Sequence, residues 1–278
     1  LKKNSETNIA KESIPGVTQS ILNESYLFEY GSEESLTFIK KNKDTIAAVL
    51  TEPVQSRNPG LQPLSYLEEL RLVTEENNIA LIFDEVITGF RIDLGGCQEY
   101  FNIRADIVTY GKVIGGGLPI GIVAGKSKFL DALDGGFWQY GDDSFPMVKS
   151  TFVAGTFCHH PLAMATSLKT LEILNSSNGK LLYQLNSVTT NFCDRMNAFF
   201  KENSFKISIV NFGSLFRFYT PGRYKKIYSQ LLLNGVYIWE GRNCFLSLAH
   251  NEEIIASLEK KIKLSCIQLI ESGIIKTK

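Results

Sequence analysis

The chain has 278 residues, and its 29 Lys and Arg are balanced by 29 Asp and Glu, leaving no formal net charge. That balance removes the electrostatic footprint of a nucleic-acid binder or an anionic-membrane binder. At 44% hydrophobic there is material for one large core or two smaller ones, yet no apolar run reaches the ~18–20 residues of a membrane span. The opening Leu1-Lys2-Lys3-Asn4-Ser5 is neither a signal peptide nor an initiating Met, so the chain is expected to be a piece of something longer.

Residues 1–35 are polar and irregular, with a turn at Pro15-Gly16, and read as a connecting segment. Ile46 to Leu50 is a short apolar run suited to a strand buried on both faces. After a proline-rich loop, Ser65 and Glu68 have capping-box spacing, and Leu67, Leu70 and Val73 continue one helical face that Asn77-Asn78 ends. Ile79–Phe83, Asp106–Tyr110 and Gly121–Gly125 read as further strands, the last followed by a helical stretch over Lys128–Leu133. This alternation predicts a parallel α/β sheet.

Long helices follow over 161–175 and 180–203, then β-like segments at 207–219 and 235–248. An amphipathic helix covers 251–272, with Asn251 as its N-cap and Gly273 as its stop. The expected organisation is a connecting segment (1–35), a partial large domain (36–190) and a small α+β domain (191–278).

Cysteines 97, 158, 193, 244 and 266 form no C-x-x-C pair, and the three histidines lack metal-ligand spacing. Reduced thiols in a cytoplasmic protein, and no metal site, are the expectation. Gly121-Ile-Val-Ala-Gly125-Lys126-Ser127 falls one residue short of a nucleotide P-loop, because Ile120 stands where the first glycine belongs.

Chemistry concentrates where the strands end. The first runs into Glu52, the second into Asp84-Glu85, and the third, after Gly111, into Lys112. Ligands of open parallel sheets bind beyond the carboxyl ends of the strands, so these groups are expected to converge. A lysine amine can capture an aldehyde cofactor, and an anionic Asp can keep a pyridine nitrogen protonated.

Ile82-Phe-Asp-Glu-Val-Ile-Thr-Gly-Phe-Arg91 and Tyr110-Gly-Lys-Val-Ile-Gly-Gly-Gly-Leu-Pro-Ile-Gly121 together resemble the signature of class III aminotransferases, with Lys112 placed 28 positions after Asp84. Leu50-Thr-Glu-Pro-Val-Gln-Ser56 and Ala154-Gly-Thr-Phe-Cys-His-His-Pro-Leu-Ala-Met-Ala165 agree with it, in the same order. The resemblance covers roughly 14–272 and implies a pyridoxal 5'-phosphate enzyme of fold type I. It extends to glutamate-1-semialdehyde aminomutases. Through Gln55-Ser-Arg-Asn-Pro59 and Val236-Tyr-Ile-Trp-Glu-Gly-Arg242 it is stronger toward the aminotransferase modules of mixed polyketide/non-ribosomal-peptide synthases.

By that resemblance Lys112 bonds the cofactor and shuttles the proton, Asp84 pairs with the ring nitrogen, and Val86 packs on the ring. Thr156 would reach the cofactor phosphate across a homodimer interface with shared active sites. Glu52 would complete the cofactor-binding set from behind the direct contacts. Arg57 stands where many relatives carry an acidic or amide residue, so it and Arg242 are the candidates for holding a carboxylate.

The resemblance also implies an N-terminal stretch with a phosphate-gripping loop, which 1–35 do not supply. This chain alone is therefore expected to bind the cofactor weakly or not at all. The leading reading is a module moving an amino group from a donor such as glutamate to a keto group on a carrier-tethered acyl chain. The alternatives are an aminomutase and a non-catalytic assembly interface.

Overall fold

The computed structural model describes residues 15–275 and the backbone of 2–3 and 10–11; the rest of the expected connecting segment 1–35 before Pro15 lies outside the described residues. In chain order the elements are β1 (Lys2–Lys3), β2 (Ala10–Lys11), α1 (Gln19–Asn23), α2 (Glu33–Lys41), β3 (Ala48–Thr51), α3 (Leu64–Glu76), β4 (Ala80–Asp84), α4 (Gly96–Tyr100) and β5 (Ile107–Gly111). A 3-10 turn (Lys112–Gly115) leads to β6 (Gly121–Gly125), α5 (Ser127–Asp134), α6 (Pro161–Ser176), α7 (Lys180–Glu202), β7 (Ser208–Phe212) and β8 (Leu215–Tyr219). A second 3-10 turn (Gly222–Lys226) precedes α8 (Ile227–Leu233), β9 (Cys244–Phe245) and α9 (Glu252–Glu271).

The chain forms two compact units. The smaller comprises the described residues of 1–49 and 63–81, the larger 50–62 and 82–278. In the smaller, α2 and α3 bury Leu36, Ile39, Leu67, Leu70 and Val73, the positions an apolar helical stripe dictates. Ser32 caps α2 by accepting from the Glu34 amide at 3.2 Å. The expected capping role of Ser65 is not realised. The Leu67 amide already donates to the Pro63 carbonyl at 3.1 Å, so α3 starts at Leu64 and Ser65 lies inside its first turn. Asn77 ends that helix, its side-chain amide donating to the Val73 carbonyl at 2.8 Å.

The larger unit holds the carboxyl ends of the main sheet, whose order is β3-β4-β5-β6. Leu81, Phe83 and Val108 are buried, as an apolar run covered on both faces requires. β4 and β5 are parallel, Ile82 lying opposite Ile107. β6 instead runs antiparallel to β5, Gly111 opposite Gly121. Residues 112–120 are too few for the crossover a parallel strand would need.

A second, antiparallel sheet has the order β7-β8-β9. It packs with α7, α8 and α9 around Phe192, Met196, Phe200, Ile227, Leu231 and Ile262, all nearly inaccessible. Of the β-like stretch 235–248 only Cys244–Phe245 becomes strand, the rest forming a loop. α9 starts as read: the Asn251 side chain accepts from the Ile254 amide at 2.9 Å, and Gly273 at φ 71° follows its end.

One buried carboxylate ties β4 to the segment beyond it. Asp84 and Glu85 are consecutive at the strand's end, so they face opposite ways. Glu85 is fully buried and accepts from the Cys97 amide at 2.6 Å and the Gln98 amide at 3.3 Å. Gln98 in turn accepts from the Ala105 amide at 2.9 Å and donates to the Tyr110 hydroxyl at 3.1 Å. At Gly96 (φ 67°) an added Cβ would collide with the Glu85 carboxylate. Burial pushes the Glu85 carboxyl up from 4.5 to about 7 against the two amides that favour its ionised form. The neutral form thus stabilises the fold fully below pH 4.5, and that contribution is lost as pH rises to about 7. The loss is on the order of 3 kcal/mol. Urea unfolding across pH 4.5–7.5 should therefore show Glu85→Gln gaining on the wild type as pH rises; a difference independent of pH contradicts this.

Candidate active site

The turn that carries Lys112 is the most constrained piece of backbone in the site. Lys112 sits at φ 53°, a left-handed conformation costly for a side chain with a Cβ, and opens the 3-10 turn directly after β5. α6 fixes that turn: the Thr166 hydroxyl donates to the Gly115 carbonyl at 2.9 Å. Gly116, at φ 61°, lies so close to α6 that an added Cβ would stand 2.6 Å from the Thr170 hydroxyl.

Asp84 is held at the neighbouring strand end. Its Oδ1 accepts from the Val86 amide at 3.0 Å and from the Thr109 hydroxyl at 3.4 Å, while Oδ2 accepts no hydrogen bond among the described residues. Beyond β3, Glu52 accepts from the Ser56 amide at 3.0 Å, closing the turn that leads to Arg57. The Tyr219 hydroxyl of β8 donates to Asn58 Oδ1 at 3.1 Å and fixes the next residue of that loop.

These elements enclose a cavity of about 940 Å³ lined by Glu52, Arg57, Asp84, Val86, Lys112 and Arg242, among others. Of the residues to which the resemblance assigns a role, Thr156 alone stays outside its lining, on an exposed segment just before α6. Trp239 and Phe245 supply apolar wall, and Arg91 lays its guanidinium over the Phe245 ring, 4.3 Å from the centroid.

Arg217, which the sequence reading did not select, also lines the cavity. It donates to the Gly241 carbonyl at 2.6 Å and to Asn243 Oδ1 at 3.2 Å, clamping the loop on which Arg242 lies 4.8 Å from the Trp239 ring centre. The available signal was a lone cation within Leu215-Phe216-Arg217-Phe218-Tyr219. Glu85, expected to converge on the site with Asp84, instead faces the other way and is spent on the Cys97 and Gln98 amides. With Arg217 counted, the cations of Arg57, Lys112, Arg217 and Arg242 outnumber the carboxylates of Glu52 and Asp84. Such a cavity suits an anionic substrate beside one nucleophilic amine.

Comparison with known proteins gives this geometry a family. Residues 5–251 match the family model "Aminotransferase class-III". A glutamate-1-semialdehyde 2,1-aminomutase of Methanococcus maripaludis (strain C5) is 31% identical over 278 residues, covering 92% of this chain and 61% of that protein. Its counterpart in Sulfolobus acidocaldarius is 35% identical over 260 residues, covering 86% and 58%. The chain thus spans about three fifths of the length of the curated relatives it matches. A solved structure described as a transaminase with PLP bound superposes with TM-score 0.83 at 25% identity, covering 96% of this chain and 62% of that one. An omega-transaminase from Sphaerobacter thermophilus gives TM-score 0.82 at 22% identity, covering 95% and 62%, and supports the fold. The fold is that of the PLP-dependent transaminases, and the chain belongs to the class III aminotransferase family.

Proposed function

We propose that the protein is a pyridoxal-phosphate-dependent aminotransferase that moves an amino group from an amino-acid donor such as glutamate to a keto group of a carrier-bound acyl chain, as a module of a natural-product megasynthase. The observation that carries this reading is the presence of Lys112 and Asp84 in the lining of one cation-rich cavity. The residues fit the cofactor: a nucleophilic amine, a carboxylate with one oxygen free of partners among the described residues, and an apolar side chain beside it. When bound, pyridoxal phosphate supplies an aldehyde and a protonated ring that accepts the electron pair left at the substrate carbon.

The chain's own residues then divide the remaining work. Lys112 Nζ would hold the cofactor and would serve as the base that moves a proton at the substrate carbon. Asp84 would keep the ring nitrogen protonated, Val86 would pack beside the ring, and Glu52 steadies the loop beyond β3. Thr156 binds the phosphate in the neighbouring subunit of a homodimer; its exposed position supports this role. Arg57 and Arg242 bind substrate carboxylate, while Trp239 and Phe245 shield the acyl chain from water. In this reading 36–190 belong to the large cofactor-binding domain and 191–278 to the small one, in a cytoplasmic enzyme. Among the described residues no helix is long and apolar enough to cross a membrane.

The relatives named as aminomutases support a second reading, in which nitrogen shifts within one small molecule. Isotope-labelled glutamate offered with either a carrier-bound β-keto thioester or free glutamate-1-semialdehyde separates the two. Labelled nitrogen on the thioester is expected. Conversion of the semialdehyde alone, with no label entering the product, overturns the module reading. Arg217→Leu frees the 239–243 loop and should raise the donor's KM by roughly 10- to 100-fold with less effect on kcat. An unchanged KM would show that the clamp plays no part in substrate binding.

A further inference from the structure

The loop between Ile238 and Cys244 borders three depressions, one of about 830 Å³ shared by Trp239 and Asn243 and two that matter here. Trp239, Gly241 and Arg242 line the Lys112 cavity, whereas Glu240 lines a separate cleft of about 530 Å³. The other walls of that cleft include Arg223, Lys225, Lys226, Ser229 and Ile274. Tyr224, 8% exposed, roots the 3-10 turn in the core of α7, α8 and α9, so its neighbours Arg223, Lys225 and Lys226 stand in solvent. None of these three cations has an ion pair or a side-chain hydrogen bond among the described residues.

The chain as a whole has no net charge, so three unpaired cations within four positions are a local excess. Like charges crowded on one rooted turn repel each other, and an anionic surface laid against them removes that repulsion. The patch is too small for nucleic acid or a membrane, where roughly 4–10 basic contacts are usual. Its scale suits a few carboxylates on the face of a small protein. Its position, one residue away from the cavity lining along the 239–242 loop, suits a protein that delivers a tethered substrate.

We propose that Arg223, Lys225 and Lys226 form the docking surface for an acidic face of the carrier domain that presents the acyl substrate to the Lys112 cavity. The inference rests on the carrier-bound reading given above. The loop 239–243 is the threshold between the two: a carrier seated on the patch lies against Glu240 while its substrate arm passes Trp239 and Arg242. Glu240, the one carboxylate lining the cleft, orients the carrier by repelling acidic groups placed off the cationic turn.

The test uses the full chain and an acyl-loaded carrier domain with a fluorescent label. Binding is followed by anisotropy at rising ionic strength, alongside amine transfer to the same β-keto acid as carrier thioester and as a small free thioester. The triple variant Arg223→Glu/Lys225→Glu/Lys226→Glu should weaken carrier binding and raise the carrier-substrate KM by roughly tenfold or more, while the free thioester changes less than about twofold. Wild-type binding should fall with salt, and exchanging acidic for basic residues on the carrier should restore binding to the triple variant. Equal carrier binding by the wild type and the variant, wild-type binding insensitive to salt, or an equal loss on both substrates overturns the docking surface. If the triple variant does not fold, Lys225→Glu alone and the wild-type salt titration give the same decision. A wild type that aminates the free thioester but neither binds nor aminates the carrier form overturns the carrier reading itself; normal carrier turnover with an indifferent triple variant overturns only the patch.

Discussion

Everything proposed for this protein depends on a four-residue turn being held against a helix. Lys112 is kept at positive φ because the turn it begins is pinned through Gly115 to Thr166 and pressed onto α6 at Gly116. Released from that contact, a lysine would relax to ordinary backbone angles and its amine would move off the line of the strand. The hydrogen bond and the close glycine approach are therefore what convert a lysine after a strand into a lysine in a cavity. Strain of this kind persists only where the surroundings over-determine it, and here a strand on one side and a helix on the other do so.

Two consecutive carboxylates divide structural and chemical work by facing opposite ways. Glu85 turns inward and organises the backbone around Cys97 and Gln98, which in turn reaches Tyr110 on β5. Asp84 turns toward the cavity with Oδ1 tied to Val86 and Thr109. The buried acid thus sets the framework in which Asp84 is presented to the cavity. The cation-rich wall opposite comes from another sheet, where Arg217 fixes the loop bearing Arg242. Lys112 and Arg242 are carried on separate elements, each with its own fastening.

Much of this was legible in the sequence because apolar strands leave a plain trace, although Ile46 to Leu50, read as buried on both faces, is largely exposed, Leu50 at 66%. Apolar runs ending in Glu52, Asp84 and Lys112 locate the sheet's carboxyl edge before any coordinates, and the cavity there includes all three. What stayed hidden depended on contacts between segments far apart in sequence. Arg217 sits in a strand that reads as core, and only its reach to Gly241 and Asn243 gives it a purpose. Ser65 has capping-box spacing, yet the Pro63 carbonyl begins the helix first. β6 looks like its parallel predecessors, since local pattern records burial and not direction; the short connection after Lys112 decides it. Residues 235–248 carry β-formers, but only Cys244–Phe245 joins a ladder, while Trp239 and Phe245 line the cavity.

We propose that Lys112, guided by Asp84, is the amine that this fold readies for an aldehyde cofactor. The most direct measurement is to incubate the protein with pyridoxal phosphate, reduce with borohydride, and locate the added pyridoxyl mass by peptide mapping. The account predicts label concentrated on Lys112 and strongly reduced there in Asp84→Ala. Label spread over exposed lysines in proportion to their accessibility, with Lys112 no different and Asp84→Ala unchanged, would contradict it.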